Sequence, residues 1–373
     1  MPALAIGDPA PWFTAPTPTN PAFHFDTVGG HRVILCFFGS AQPEAMRALL
    51  QGFAQRRGEL AGRQTVFFGI TINPQDRNLV MPISSYFQLV WDFEAQVSQR
   101  YGVYQAQSGR PGVFRPTIFV LNERLQVVAL LPIQPDCDHV NQVFDHLDRM
   151  PSFSEGRPAE PQAPVLFIPH VLEPDFCEAL IQHYEAVGGQ PSGFMRQKDG
   201  QTVGVMDLTF KRRSDVLIQE QPLLQQINDR ILCRVKPEIE KGFQFTISRF
   251  ERHLVACYTA AEQGFFNRHR DNTTAGTAHR RFAMSLNLNT GDYTGGHLRF
   301  PEFGSHLYSP QRGEALIFSC SLLHEATSVT AGRRYALLSF FYDDAGAAVR
   351  AENRRFLVQS PQSAPEAEDK TKG

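Results

Sequence analysis

His269 and Asp271 stand two residues apart in the segment Gly264-Phe265-Phe266-Asn267-Arg268-His269-Arg270-Asp271. On a β-strand, side chains two apart share a face, so an imidazole and a carboxylate would point the same way. Joined by a later histidine, such a pair forms a two-histidine, one-carboxylate set that suits ferrous iron and leaves three coordination positions open. His324 is the later histidine chosen for that role. With 12 His and 38 Asp plus Glu in 373 residues, a His-x-Asp triplet arises easily by chance, so its surroundings decide what it means.

Those surroundings come in a definite order. Tyr258 precedes the pair, and Gly295-Gly296-His297-Leu298-Arg299-Phe300-Pro301 follows. Then come Gly313-Glu314-Ala315-Leu316-Ile317-Phe318, His324-Glu325-Ala326 and Gly332-Arg333-Arg334-Tyr335. The series resembles the iron- and 2-oxoglutarate-dependent dioxygenases of the prolyl 4-hydroxylase-like type. The resemblance implies that His269, Asp271 and His324 bind Fe(2+). It also implies that Arg334, ten residues after His324, pairs with the distal carboxylate of 2-oxoglutarate, with Tyr258 adding a hydrogen bond to the same co-substrate.

The planar guanidinium suits that task, because it can meet both oxygens of a carboxylate at once. Arg333 is the neighbouring alternative, and strand alternation lets only one of the two face a barrel interior. The resemblance further implies O2 as co-substrate, succinate and CO2 as products, hydroxylation of an unactivated C–H bond, and L-ascorbate as an accessory cofactor. Because Asp271 fills the carboxylate position, a halide cannot take it, which favours hydroxylation over halogenation. His279, His297 and His306 are read as structural, and Arg280 and Arg281 as strand-edge or substrate-lining charges.

The elements that must position these residues follow from hydrophobic patterning. Short strands are expected at 245–250, 254–258, 281–288, 297–300, 315–318 and 335–342, separated by Gly, Asn and Pro turns, as in a double-stranded β-helix (jelly roll). Ahead of them, 165–172 reads as a strand. Helices over 174–187, with Pro174 in its first turn, and over 222–239 carry apolar stripes suited to buttressing a sheet. The segment 193–213, rich in Gly, Gln and charge, reads as a loop near the mouth. The dioxygenase domain therefore spans 165–350.

A Pro-rich linker over 151–164 separates this domain from residues 1–150, and a polar, disordered tail is expected over 359–373. Within 1–150, strands at 33–38 and 65–72 flank a helix over 43–57. A hairpin over 117–121 and 127–131 and a helix over 138–150, capped by Asp138, complete a thioredoxin-like α/β plan.

The opening Ile6-Gly7-Asp8-Pro9-Ala10-Pro11-Trp12-Phe13 and the strand Val33–Phe38 resemble peroxiredoxins of the alkyl hydroperoxide reductase/thiol-specific antioxidant class. In that class a peroxidatic cysteine sits at the mouth of the following helix, where the helix N-terminus lowers its pKa. Here Gln42 holds the position, and an amide is no nucleophile toward peroxide. The domain is expected to be redox-inactive and to dock a protein partner or stabilise the second domain. Arg115 and Pro116 match the class's later Arg and its thioredoxin-type Pro, which would be a site for a cis bond.

Composition limits the alternatives. Hydrophobic content of 42%, charged content of 20% and a net charge of −2 fit a globular protein, without the basic run that nucleic acid would call for. There is no bilayer-length apolar run and no signal-peptide pattern at Met1-Pro2-Ala3-Leu4. Six scattered cysteines, none in a Cys-x-x-Cys pair, are expected to be reduced. Together these point to the cytoplasm and away from membranes. The rival readings are a non-catalytic metal-binding jelly-roll sensor, a two-domain scaffold protein and, through the first domain, a thiol peroxidase. The substrate class implied by the resemblance is a peptidyl-prolyl or other amino-acid group, peptide-borne or small.

Overall fold

The structure, a computed structural model, describes residues 4–135, 137–153, 156 and 158–357. The expected tail over 359–373 and three linker residues lie outside them. The chain divides into two compact units, Met1–Arg157 and Pro158–Gly373.

The first unit is built on a five-stranded sheet. Its strands are β1 (Arg32–Gly39), β2 (Thr65–Thr71), β3 (Phe87–Trp91), β4 (Thr117–Leu121) and β5 (Val127–Pro132), in spatial order β3-β2-β1-β4-β5. The β1, β2 and β3 strands run parallel, and β4 and β5 pair antiparallel. Parallel strands covered on both faces should be apolar, and after Arg32 β1 is: Val33, Leu35 and Phe37 enter one core while Ile34, Cys36 and Phe38 enter the other. Helices α1 (Glu44–Gln55) and α2 (His139–Arg149) pack on the second of these, α2 starting where Asp138 accepts a hydrogen bond from the Asn141 amide. This is the thioredoxin-like plan. Patterning missed β3 and the small hairpin Tyr104–Gln107 with Arg110–Phe114.

The second unit is a sandwich of two antiparallel sheets. In chain order its elements are β6 (Leu166–Ile168), α3 (Pro174–Val187), the hairpin β7 (Phe194–Lys198) and β8 (Gln201–Val205), β9 (Lys211–Arg212), β10 (Ser214–Leu217), and the helices α4 (Gln221–Arg230) and α5 (Lys236–Phe243). Seven further strands follow: β11 (Leu254–Thr259), β12 (Phe265–His269), β13 (Phe282–Asn287), β14 (Leu298–Arg299), β15 (Ala315–Ser319), β16 (His324–Ala326) and β17 (Arg333–Tyr342). The larger sheet runs β6-β15-β13-β17-β11-β10 and ends at Gln190–Pro191; the smaller runs β9-β12-β16-β14 and ends at Leu307–Tyr308.

Alternation sorts the larger sheet's side chains. Val255, Cys257, Met284, Leu286, Tyr335 and Leu337 face the helices, where they meet Leu180, Tyr184, Ile227 and Ile239. Ala256, Tyr258, Ala283 and Phe318 face the smaller sheet and share a core with Phe266, Leu298 and Ala326. The helices therefore brace the larger sheet from behind, leaving its inner face to form the site.

Four expectations need correction. The helix expected over 222–239 is broken by a wider π-turn at Ile231–Val235. Pro237 explains it: proline has no amide hydrogen and crowds the carbonyl four residues earlier, so the helix opens just before it. The segment 193–213 is mainly a hairpin, with five paired positions between β7 and β8, and not a loop. Of 245–250, only Arg249–Phe250 is strand. At the linker's C-terminal end, Ala163 is buried and its amide donates to the Tyr308 hydroxyl over 2.9 Å, so that end already belongs to the second unit.

Among the described residues there is no cis peptide bond, so Pro116 is trans. All six cysteines are free thiols. No described helix is long and apolar enough to cross a membrane.

Candidate metal centre and its cavity

β12 and β16 bring the first two donors together. His269 and His324 are direct partners in the antiparallel register, with ring centroids 4.3 Å apart. In a regular strand Phe266 and His269, three apart, would face opposite ways. The register shifts between them, and this irregularity turns both inward. Their rings stack with centroids 3.6 Å apart, so an apolar wall backs the first imidazole.

Asp271 arrives by a different route from the one expected. It does not share a strand with His269, because β12 ends at His269 and Asp271 lies in the turn beyond. Its amide donates to the Cys320 carbonyl over 3.0 Å, fixing the turn. One carboxylate oxygen lies 3.5 Å from Nε2 of His269 and the other 3.5 Å from Nε2 of His324. Together these three side chains offer ligand atoms all within 4.8 Å of one another, and they are the one such group among the described residues.

The outer nitrogens settle which atoms face inward. Nδ1 of His269 lies 2.7 Å from the Asn267 carbonyl, and Nδ1 of His324 lies 3.0 Å from the Leu322 carbonyl. A carbonyl can only accept, so both Nδ1 atoms carry the proton and both Nε2 lone pairs are left for a metal. Burial drives His324 down to about 4, keeping it in the neutral form a metal requires. Burial would raise Asp271, but the adjacent imidazoles, His324 foremost, outweigh it and hold the carboxyl far below its ordinary value. Two neutral imidazoles and one carboxylate are the donor set of a ferrous site with open positions.

A cavity of about 820 Å³ opens over this cluster. Arg334 lines it and is 2% exposed; it donates to Ser285 Oγ (3.1 Å) and Asn287 Oδ1 (2.9 Å). Its Nε is buried without a partner, an orphan donor inside a cavity beside a metal-type cluster. Tyr258 is the direct register partner of Arg334, with the guanidinium 5.3 Å from its ring. The neighbouring alternative, Arg333, points the other way and pairs with Glu185 at 3.0 Å.

Gly296 adjoins the arginine at a φ of +65°, and a Cβ there would lie 2.9 Å from Cδ of Arg334. The Gly295-Gly296 turn thus makes room for the guanidinium stem. Arg280 is buried in the cavity wall, doubly hydrogen-bonded to Glu251 at 2.5 and 2.6 Å, and donates to the Asp271 carbonyl over 3.3 Å. His279 is buried 3.3 Å from Glu251, His306 lies 3.4 Å from Glu160, and His297 is half-buried; none joins the metal-type cluster.

Patterning did not single out Lys211, Arg213, Ser285 or Asn287, all of which belong to this site. Lys211-Arg212-Arg213 did carry a signal, since alternation would turn the first and third residues to one face. Ser285 and Asn287 are ordinary polar residues in a short strand, and only strand pairing brings them to Arg334.

In the first unit, Gln42 is exposed just ahead of α1, and its side chain donates to Gln75 over 3.2 Å. Cys36 is fully buried in β1, and burial pushes its thiol far above its usual range. Arg115 is exposed. Among the described residues no thiol stands at the mouth of α1; the unit's two cysteines are the buried Cys36 and Cys137, which is exposed just ahead of α2.

Comparison with known families agrees with both halves of this description. Residues 253–342 match the model of the 2OG-Fe(II) oxygenase superfamily, and residues 6–130 match that of the AhpC/TSA family, so the chain joins a domain of each kind.

A curated relative is the multifunctional procollagen lysine hydroxylase and glycosyltransferase LH3 of Rattus norvegicus, 27% identical over 192 residues; the alignment covers 50% of this chain and 24% of that protein. The chain therefore spans about a quarter of that relative's length. Among solved structures, a Pseudomonas putida prolyl-4-hydroxylase is 21% identical, covers 48% of this chain and 93% of its own, and has a TM-score of 0.36. A Trichoplax adhaerens prolyl hydroxylase, solved with a hypoxia inducible factor peptide fragment, is 19% identical over 50% of this chain and 86% of its own, with a TM-score of 0.40. Peroxidoxin BcpB of Mycobacterium tuberculosis is 19% identical over 40% of this chain and 99% of its own, with a TM-score of 0.35.

Proposed function

We propose that the protein is a ferrous iron- and 2-oxoglutarate-dependent dioxygenase that hydroxylates a peptidyl-prolyl or other amino-acid C–H bond, releasing succinate and CO2. The observation that carries this reading is the pairing of two features in one cavity: the His269, Asp271 and His324 cluster, and the buried Arg334 with its orphan Nε. A metal-binding sensor would need the first feature and has no use for the second.

The donor set fits ferrous iron, and Arg334 fits the distal carboxylate of 2-oxoglutarate. When bound, the iron supplies O2 activation and the oxidising power for the C–H bond, chemistry that belongs to the cofactor. The chain's residues supply the rest. His269 and His324 hold their Nε2 atoms in place through the Asn267 and Leu322 carbonyls, and Asp271 contributes the charge. Arg334 and Tyr258 orient the co-substrate, with Ser285 and Asn287 holding the guanidinium. Phe266 and Phe318, against the two imidazoles, keep water from their apolar sides.

With no thiol at its helix mouth among the described residues, we assign the first unit a non-redox role, docking a protein partner or stabilising the second domain. We place the protein in the cytoplasm.

The test is product analysis. Proline-containing peptides and free amino acids are incubated with the full-length protein, Fe(II), 2-oxoglutarate and air, with ascorbate as a variable, and examined by mass spectrometry. A gain of one oxygen atom that is absent with His269→Ala supports the reading; no oxygenated product across the panel counts against an amino-acid C–H substrate.

A further inference from the structure

The wall of the cavity facing the metal-type cluster is charged in a way that the reaction just proposed does not use. Seven basic side chains line the cavity against two carboxylates, Asp215 and Asp271. Several of the basic groups are accounted for: Arg280 by Glu251, Arg270 by Glu302, Arg213 by Asp215, and Arg334 by the co-substrate. Asp271 is committed to the metal.

Of the three that remain, Arg196 and Arg252 are exposed to solvent and Lys211 is buried. It is 3% exposed, and no carboxylate among the described residues lies within ion-pair distance. Its Nζ donates to the Gly193 carbonyl over 2.6 Å and sits 4.9 Å from the centre of the Phe266 ring, the same ring that stacks on His269. An ammonium has three donors, and one carbonyl uses only one.

Arg213, two residues on, completes a pair. Its side chain is 10% exposed, and its terminal nitrogens reach Asp215 Oδ2 (2.7 Å) and the Tyr258 hydroxyl (3.4 Å). Its Nε is buried with no partner. The cavity wall thus holds two buried basic side chains with unused donors. Burying an ammonium with no carboxylate in direct contact is costly, and Arg213, although paired with Asp215, keeps its Nε free, so an anion arriving here would use donors on both. Desolvation, followed by the neighbouring Arg213, holds Lys211 well below its usual range despite the pull of Asp215 and Asp271, and an anion in direct contact would relieve it.

We propose that Lys211, supported by Arg213, is a specificity-determining site for a carboxylate on the substrate itself, so that the molecule hydroxylated is a free amino acid presenting its α-carboxylate beside the metal. This rests on the dioxygenase reading and deepens it. The same carboxylate chemistry has a second source, the distal end of 2-oxoglutarate, which the experiment separates.

Full-length protein is loaded with Mn(II) and saturated with 2-oxoglutarate, conditions that allow binding without turnover. L-proline, L-glutamate and L-aspartate are titrated by calorimetry beside their α-carboxamides. At least one acid is expected to bind at least about tenfold more tightly than its amide, as charge-assisted hydrogen bonds to a buried cation imply. Lys211→Gln, which keeps a donor for Gly193 but removes the charge, should abolish the preference without changing 2-oxoglutarate affinity. Lys211→Met gives the same comparison should the amide pack badly, and thermal melting verifies both folds.

Equal binding of acids and amides, or no binding by any acid, overturns the proposal. So does a Lys211→Gln protein that loses 2-oxoglutarate affinity, because the carboxylate then belongs to the co-substrate. Failure of Mn(II) or 2-oxoglutarate to bind the wild-type protein would instead reject the dioxygenase reading, and with it this site.

Discussion

His269 and His324 are direct partners across two antiparallel strands, and each ties its Nδ1 to the backbone carbonyl two residues before it. The arrangement fixes both tautomers by main-chain geometry alone, leaving the two Nε2 atoms and Asp271 to converge. Replacing one of the three ligands, as in His269→Ala or Asp271→Ala, should weaken Fe(II) binding at least about a hundredfold, since removing only a group that hydrogen-bonds to a ligand typically costs 10- to 100-fold. Equilibrium dialysis under anaerobic conditions measures this, and wild-type affinity in either variant rejects the ligand assignment.

Arg334 should govern the co-substrate. Arg334→Ala is expected to raise the KM for 2-oxoglutarate at least about tenfold, the scale of a lost charge-assisted hydrogen bond. Gly296→Ala should move KM in the same direction, since its Cβ would meet Cδ of Arg334 at 2.9 Å. Arg333→Ala, at the outward-facing neighbour, should leave KM near wild type. A reversed pattern between the two arginines would show that the wrong one was assigned.

Stability should depend on pH through His253. It is 3% exposed, its Nε2–H meets Asn228 Oδ1 at 2.8 Å, its Nδ1 has no partner, and burial drives it down to about 4. The folded state therefore resists protonation while the unfolded chain takes up a proton near pH 6.5. The stabilisation is complete above that value, declines as pH falls through it, and is lost as pH reaches about 4. The loss should amount to at most about 3 kcal/mol. Denaturant melts of wild type and His253→Gln at pH 7 and pH 5 should converge at the lower pH; a constant gap between them contradicts the assignment.

The first unit should not consume peroxide. Cys36 lies fully buried inside β1 and Gln42 occupies the helix mouth. A rapid peroxidase rate that Cys36→Ser removes would overturn this.

Much of the site was legible before the structure because its signals are local or fall at fixed intervals. His269 and Asp271, the Arg334 interval and the double glycine lie within short, ordered stretches. The apolar runs Val33–Phe38 and Thr117–Leu121 likewise declare their strands, since burial on both faces leaves no other pattern. What stayed hidden depends on pairing between distant segments. The irregularity between Phe266 and His269 exists only against β16, and Ser285 and Asn287 matter only because β13 lies beside β17. The hairpin at β7 and β8 was obscured by its composition: Arg196, Gln197, Lys198 and Gln201 are exposed polar residues on a two-stranded ribbon with little core to bury. Lys211 stayed hidden because it lies in the charged segment 193–213, which reads as a loop near the mouth, whereas its side chain turns inward.

The most direct test of the dioxygenase reading is conversion of 2-oxoglutarate to succinate by the purified full-length protein in air. Succinate formation should require Fe(II), rise with an accepted substrate, fall to background with His269→Ala and need far more 2-oxoglutarate with Arg334→Ala. No succinate with Fe(II) and the full substrate panel, or undiminished succinate from His269→Ala, would contradict it.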